Sequence, residues 1–283
     1  PRGSFEWLAE HAGHGHLVVL RASGADEMQK EVFEVIGGYA SVRTLVFHAR
    51  APASDPALVE AVRKADAIFI AGGDQANYVR FWKGTPLHAA LDAHVRAGKP
   101  IGGTSAGLAI LGVQYYGALD GGSILSPEAL ADPLGKAMTV EGDFLHLPML
   151  EHIVTDTHFG KRDRLGRLIA FVANRRQAGL TDLIGLGVDE ESAVLVEGDG
   201  KARIVSRVDG GAWLVRPSGL PESAVAGQPL TWHGVRVTGI NAASRFDLAT
   251  LSVKSPWFER VADVVNGRLS VREAGESTAA APR

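Results

Sequence analysis

The 283-residue chain contains no cysteine, which excludes a disulfide scaffold, a zinc-thiolate site and a thiol nucleophile together. Long hydrophobic runs are missing too: none approaches the roughly 18 residues that cross a bilayer. Nor is there an excess of one charge. Twenty-nine Lys and Arg stand against 32 Asp and Glu, a formal net charge of -3. That balance excludes a polybasic nucleic-acid or membrane-surface protein, although a local basic patch survives the averaging. There is no internal repeat and no heptad. Pro1 is not an initiator methionine, and residues 1–15 hold no apolar signal core. Both features are expected of a processed or truncated chain and leave cytoplasm and export equally open. What remains is ordinary for a soluble enzyme of one large domain or two smaller ones: 46% hydrophobic and 22% charged residues.

Short β-branched runs alternate with helix-period segments through the first half. His16–Leu20, Val42–His48, Ala67–Ala71 and Pro100–Gly102 read as strands. Asp26–Ile36 reads as a helix with Met28, Val32, Val35 and Ile36 on one face. Further helices are expected over 56–64, with Asp55 as cap and Pro56 at the first position, around 77–82, and over 86–97. Near-continuous apolar strands separated by helices predict a doubly wound, mostly parallel α/β sheet flanked by helices. From about residue 183 the pattern becomes strand-rich, with 183–188, 193–196, 202–205, 213–215 and 230–237 as strands. We read this part as an extension on the same core, giving a single α/β domain over 1–273. Residues 274–283, small and polar, read as a disordered tail.

The sharpest chemical signal is Gly102-Gly103-Thr104-Ser105-Ala106-Gly107, directly after a strand and opening a short helix. It contains G-x-S-x-G in the strand-turn-helix setting of a nucleophile elbow, which exposes the serine hydroxyl at the carboxyl edge of a sheet. The Ala106 amide, at the helix start, would face a developing oxyanion. The motif alone leaves open a Gly/Ser turn that only caps a helix or binds phosphate. A catalytic serine needs a base, and ten histidines are available. His11, His14, His16, His48, His88 and His94 occupy ordinary contexts, and His146 and His152 border a Pro-containing connection. His158 stands out because Asp156-Thr157-His158-Phe159 follows a strand, where ligand-facing groups collect. A helix carrying Arg162, Arg164 and Arg167 is expected to follow. Cations at a helix start oppose its dipole unless an anion compensates, and a substrate carboxylate would supply one.

Taken together, Gly72-Gly73-Asp74-Gln75, Gly103–Gly107, the His-Phe-x-x-Arg-x-Arg-x-Gly-Arg run from His158 to Arg167, and Val188-Asp189-Glu190 resemble cyanophycinases. The wider group includes the α-aspartyl dipeptidases, serine peptidases on a glutamine-amidotransferase-like fold. The resemblance spans roughly residues 16–196. It implies Ser105 as nucleophile, His158 as general base and Glu190 as the acid that orients the histidine. It also implies an oxyanion hole from the amides of Gly73 or Asp74 with Ala106. Gln75, Asp156, Arg162, Arg164 and Arg167 match positions that recognise a β-linked aspartyl residue. Thr157 stands where cyanophycinases carry glutamine, and the chain begins without the Gly-rich first strand of its relatives.

Asp120 is the other candidate acid, at the spacing of the α-aspartyl dipeptidase branch; Glu190 is preferred. The expectation is therefore a serine exopeptidase acting on β-aspartyl (isoaspartyl) bonds, in cyanophycin or dipeptides, through an acyl-enzyme. The alternatives are an α-aspartyl dipeptidase and a non-catalytic anion-binding protein. An amidotransferase is disfavoured, because such enzymes use a cysteine. Neither metal nor organic cofactor is implied, nor a nucleic-acid or membrane partner, and relatives suggest a homodimer.

Overall fold

The computed structural model describes residues 2–24 and 27–276. The expected helix start at Asp26 and residues 277–283 of the expected disordered tail lie outside the described residues. In chain order the first half runs α1 (Arg2–His11), β1 (His16–Arg21), α2 (Glu27–Lys30), β2 (Ser41–Val46), α3 (Pro56–Lys64), β3 (Ala67–Ile70), α4 (Gln75–Trp82), α5 (Pro86–Arg96), β4 (Ile101–Gly103) and α6 (Ala106–Ala109). Then follow β5 (Tyr115–Tyr116), α7 (Ser126–Ala131), β6 (Val140–Glu141), β7 (Ile153–Asp156) and α8 (Leu165–Gln177).

Strands β1 to β4 form one parallel sheet in the order β2-β1-β3-β4. β3 is buried along its whole length, as a strand covered on both faces requires. Helix α3 starts where its sequence dictates. The Asp55 carboxylate accepts from the amides of Ala57 and Leu58 at 2.8 and 3.3 Å, and Pro56 takes the first position. The segment after α2 departs from expectation: residues 31–36 widen into a π-helix closed by Gly37. The widened turn leaves Val35 64% exposed rather than on the inner face.

The second half contributes β8 (Ile184–Val188), β9 (Ser192–Val196), β10 (Lys201–Ser206), β11 (Ala212–Arg216), β12 (Trp232–Ile240), β13 (Arg245–Asp247), β14 (Ser252–Lys254), β15 (Phe258–Val265) and β16 (Arg268–Glu273). A six-stranded sheet runs β16-β15-β12-β11-β8-β7, and a four-stranded one runs β14-β13-β10-β9. Parallel pairing here is confined to β7 with β8; the remaining pairs are antiparallel. Short turns such as 197–200 force that reversal, since a parallel return needs a crossover of a dozen or more residues.

The two sheet systems meet at a seam. Gln114 bridges to Val154, and the Thr155 hydroxyl donates to the Leu108 carbonyl at 2.9 Å. One apolar cluster runs from Leu20, Ile70 and Ile110 to Ile184, Leu214 and Ile240. Helix α8 is buried from Leu165 through Ala173, and each such Leu, Ile, Val or Phe contributes about 1.5–3 kcal/mol by leaving water.

Candidate active site

Ser105 sits between β4 and α6 with φ 52° and ψ −121°, a backbone conformation that costs about 1–3 kcal/mol for a residue with a side chain. Its neighbours explain why the turn closes. A Cβ on Gly103 would lie 2.6 Å from the Gly107 carbonyl, and one on Gly107 would lie 2.1 Å from the Ile70 oxygen. The outer glycines of the motif are therefore steric requirements, because the chain folds back against itself and against β3. The Gly72-Gly73-Asp74 loop runs alongside. A Cβ on Gly72 would stand 3.2 Å from that of Ser105. The Tyr78 hydroxyl lies 2.8 and 3.0 Å from the Ala71 and Gly72 carbonyls, and the Asp74 carboxylate caps α4 through the Ala76 amide.

His158 follows β7, also at positive φ, 50°. Its turn is stitched by amide bonds from Phe159 to Val188, Arg162 to His158 and Arg164 to Phe159. Asp189 supports it from outside, accepting the Gly160 amide at 2.9 Å and, on its other oxygen, the Gly211 amide at 3.0 Å. The Trp213 indole donates to the same carboxylate.

These two segments bring Ser105 Oγ to 2.8 Å from His158 Nε2. His158 Nδ1 lies 2.6 Å from Glu190 Oε1, and Glu190 Oε2 lies 2.8 Å from Lys161 Nζ. The carboxylate holds the ring proton on Nδ1, which leaves Nε2 free to accept from the serine. Burial pushes the imidazole below its ordinary value of 6.5, Arg162 and Arg164 add to that, and Glu190 opposes it. The Lys161 ammonium, and after it His158, hold the Glu190 carboxyl below the usual range. Asp120 pairs instead with Lys136 at 3.0 Å.

A pocket of about 300 Å³ opens beside the serine, lined among others by Gly73, Asp74, Gln75, Ala106, Thr157 and His158. Arg80, Arg162 and Arg164 also line it. Gln75 donates to the Tyr116 carbonyl at 3.4 Å. Burial, helped by nearby Arg167, lowers the Arg164 guanidinium to about 10, still charged at neutral pH.

Two expectations are corrected by these positions. Asp156 and Arg167, expected at the substrate, lie outside the pocket lining and are 1% and 2% exposed. Arg167 Nε donates to Asp156 Oδ2 at 2.7 Å, and its other nitrogens reach Asp156 Oδ1, the Ser123 hydroxyl and the Ile124 carbonyl. The basic run is also not a helix start throughout. Arg162 and Arg164 precede α8, and the anion that compensates Arg167 is Asp156 of the chain itself.

Arg80, Lys161 and Asp189 were not legible as site residues. Arg80 does lie on the helix that opens at the Asp74 cap, and Lys161 and Asp189 fall inside the quoted motifs. One further grouping is invisible in the sequence: ligand atoms of His88, Asp92 and His146 lie within 4.8 Å of one another. The Gly84 amide donates to His88 Nδ1 at 3.1 Å, so the ring proton sits on Nε2, facing the Phe144 carbonyl. His146 Nδ1 pairs with Asp92 at 3.2 Å. The group is thus satisfied internally, and could take a cation only by giving up these bonds.

Comparison with known proteins adds an independent line. The profile of Peptidase family S51 matches residues 27–204. A cyanophycinase of Nostoc sp. is 27% identical over 222 residues, 77% of this chain and 68% of that protein. A cyanophycinase of Synechococcus elongatus is 29% identical over 229 residues, 79% of this chain and 65% of that protein. Among solved structures, a peptidase from an acI-B1 Actinobacterium superimposes with TM-score 0.53 at 18% identity, covering 87% of this chain and 90% of that one. That likeness speaks for the fold alone.

Proposed function

As the chain belongs to peptidase family S51 and is a serine-type peptidase, we propose that it hydrolyses aspartyl peptide bonds, of the β-aspartyl (isoaspartyl) type. The observation that carries this reading is the continuous chain Ser105–His158–Glu190, at 2.8 and 2.6 Å, beside a pocket lined by arginines. Ser105 Oγ bonds to the scissile carbonyl carbon while its proton passes to His158 Nε2. The carbonyl oxygen becomes an oxyanion, which the amides of Ala106 and of Gly73 or Asp74 stabilise. Collapse of the intermediate breaks the C–N bond, and His158 returns the proton to the departing amine. A water molecule then repeats the sequence on the acyl-enzyme, with Glu190 orienting the imidazole and balancing its charge.

The acid is assigned to Glu190 rather than Asp120, whose ion-pair partner is Lys136. Arg162 and Arg164 are assigned to the carboxylates of the substrate, since guanidinium forks match them. Asp156 and Arg167 act from beneath, holding the 123–124 segment of the pocket wall.

The test is hydrolysis of β-aspartyl dipeptides, cyanophycin and matched α-aspartyl peptides by the wild type and by Ser105→Ala. Cleavage of β-linked substrates should fall by at least about 10³-fold in the variant, as loss of an activated nucleophile does elsewhere. Retained activity in a folded Ser105→Ala protein would sink the mechanism. Cleavage confined to α-linked peptides would sink the linkage assignment.

A further inference from the structure

The arginines around the pocket are not equivalent, and their differences bear on what leaves when the bond is cut. Arg164 Nη1 is 3.6 Å from Asp156 and donates to the Thr157 carbonyl at 2.7 Å, so its charge is partly answered within the protein. Arg80 reaches the pocket from α4 with a single side-chain bond, Nη2 to the Leu119 carbonyl at 2.8 Å, and no carboxylate at ion-pair distance among the described residues. The Arg162 guanidinium lines the pocket with neither a hydrogen bond nor an ion pair among the described residues.

Asp74 is the one carboxylate in the lining among the described residues, and it caps α4. Nearby Glu190 is answered by His158 and Lys161. The bound peptide therefore meets two guanidiniums, Arg80 and Arg162, without an ion-pair partner among the described residues. The aspartyl unit brings a carboxylate together with an ammonium, and the leaving residue brings its terminal carboxylate. An acidic side chain on the leaving residue adds the missing negative charge, whereas an arginyl side chain places a third cation among them.

We infer that the site selects β-aspartyl peptides whose leaving residue is acidic over those whose leaving residue is basic, with Arg80 as a specificity-determining residue. This rests on the reading of the pocket as an aspartyl-peptidase site and separates dipeptide substrates from the β-Asp-Arg linkage of cyanophycin.

Binding of β-Asp-Glu, β-Asp-Leu and β-Asp-Arg to the Ser105→Ala protein, measured by calorimetry, tests it without turnover. The dissociation constant for β-Asp-Glu should be about tenfold below that for β-Asp-Arg, with β-Asp-Leu between, and the ratio should shrink at high salt because both arginines are exposed. Arg80→Gln should bring the ratio toward one. Arg162→Gln should do likewise, and it removes no side-chain hydrogen bond made among the described residues. Equal or tighter binding of β-Asp-Arg overturns the inference, as does a ratio that neither substitution moves. Wild-type hydrolysis keeps the two readings apart. The expected charge order in binding, with no Ser105-dependent cleavage of any peptide, would overturn the peptidase assignment and leave the selectivity standing. Cleavage that favours β-Asp-Arg would overturn the selectivity alone, and failure of all three peptides to bind would overturn both.

Discussion

Ser105 and His158 share a positive φ, 52° and 50°, yet the two segments hold it by different means. The elbow at Ser105 is held by lack of space. Glycines at 103 and 107 let the chain pass within 2.6 Å or less of where a Cβ would collide with backbone atoms. The turn at His158 is held by hydrogen bonds, among them one donated by the Gly160 amide to the Asp189 carboxylate, 29 residues away. Below it lies the buried Asp156–Arg167 pair. Steric exclusion is short-ranged and unforgiving, so the elbow depends on a few adjacent residues. A hydrogen-bonded turn draws on partners from several elements and loses its geometry one bond at a time.

Five substitutions press on that difference, from the largest expected effect to the smallest. Arg167→Met strands the Asp156 carboxylate in the interior and should cost about 3–5 kcal/mol in chemical denaturation. The double variant with Asp156→Leu should recover only part of that loss: the stranded carboxylate goes, but buried Arg164 loses its contact with Asp156 at 3.6 Å. A single variant as stable as the wild type would remove the pair as an anchor of the His158 side. Gly107→Ala places a methyl 2.1 Å from the Ile70 oxygen, a backbone clash that no rotamer relieves. It should cost about 3 kcal/mol and abolish turnover together; an active, stable protein would show that the elbow has room to give.

Asp189→Asn keeps shape but converts one accepting oxygen into a donor facing an amide. About 1–2 kcal/mol of stability should go, with kcat/KM falling, because the turn that loosens carries His158 together with the pocket-lining Arg162 and Arg164. An unchanged kcat/KM would contradict that support. The smallest effect is electrostatic. Kinetic pH profiles should show the acidic limb of kcat/KM below the ordinary imidazole value of 6.5, since the folded protein disfavours protonated His158. Arg162→Gln removes a cation that disfavours that protonated form, so the limb should move to higher pH. A shift to lower pH would mean that Arg162 does not act on the imidazole.

The turn at Ser105 was legible because both glycines that clear it lie within Gly103–Gly107, directly after a strand. His158 was legible from its place at a strand end, and the parallel alternation of β1 to β4 from apolar runs of the right length. Less was legible where partners are distant. The run from Lys161 to Arg167 reads as one basic patch, but the structure divides it. Lys161 goes to Glu190, Arg162 faces the pocket without a partner among the described residues, Arg164 is half-answered by Asp156, and Arg167 is buried against the same carboxylate.

By itself, then, the chain's sequence marks out the candidate chemistry: a serine on a glycine-cleared turn after β4, a histidine after β7, and no thiol to compete. The tertiary structure alone decides which charges remain for a substrate to meet. Ion pairs and hydrogen bonds are decided over a few ångströms of space, and residues such as His158 and Glu190, 32 positions apart, acquire that proximity only when β7 and β8 lie side by side.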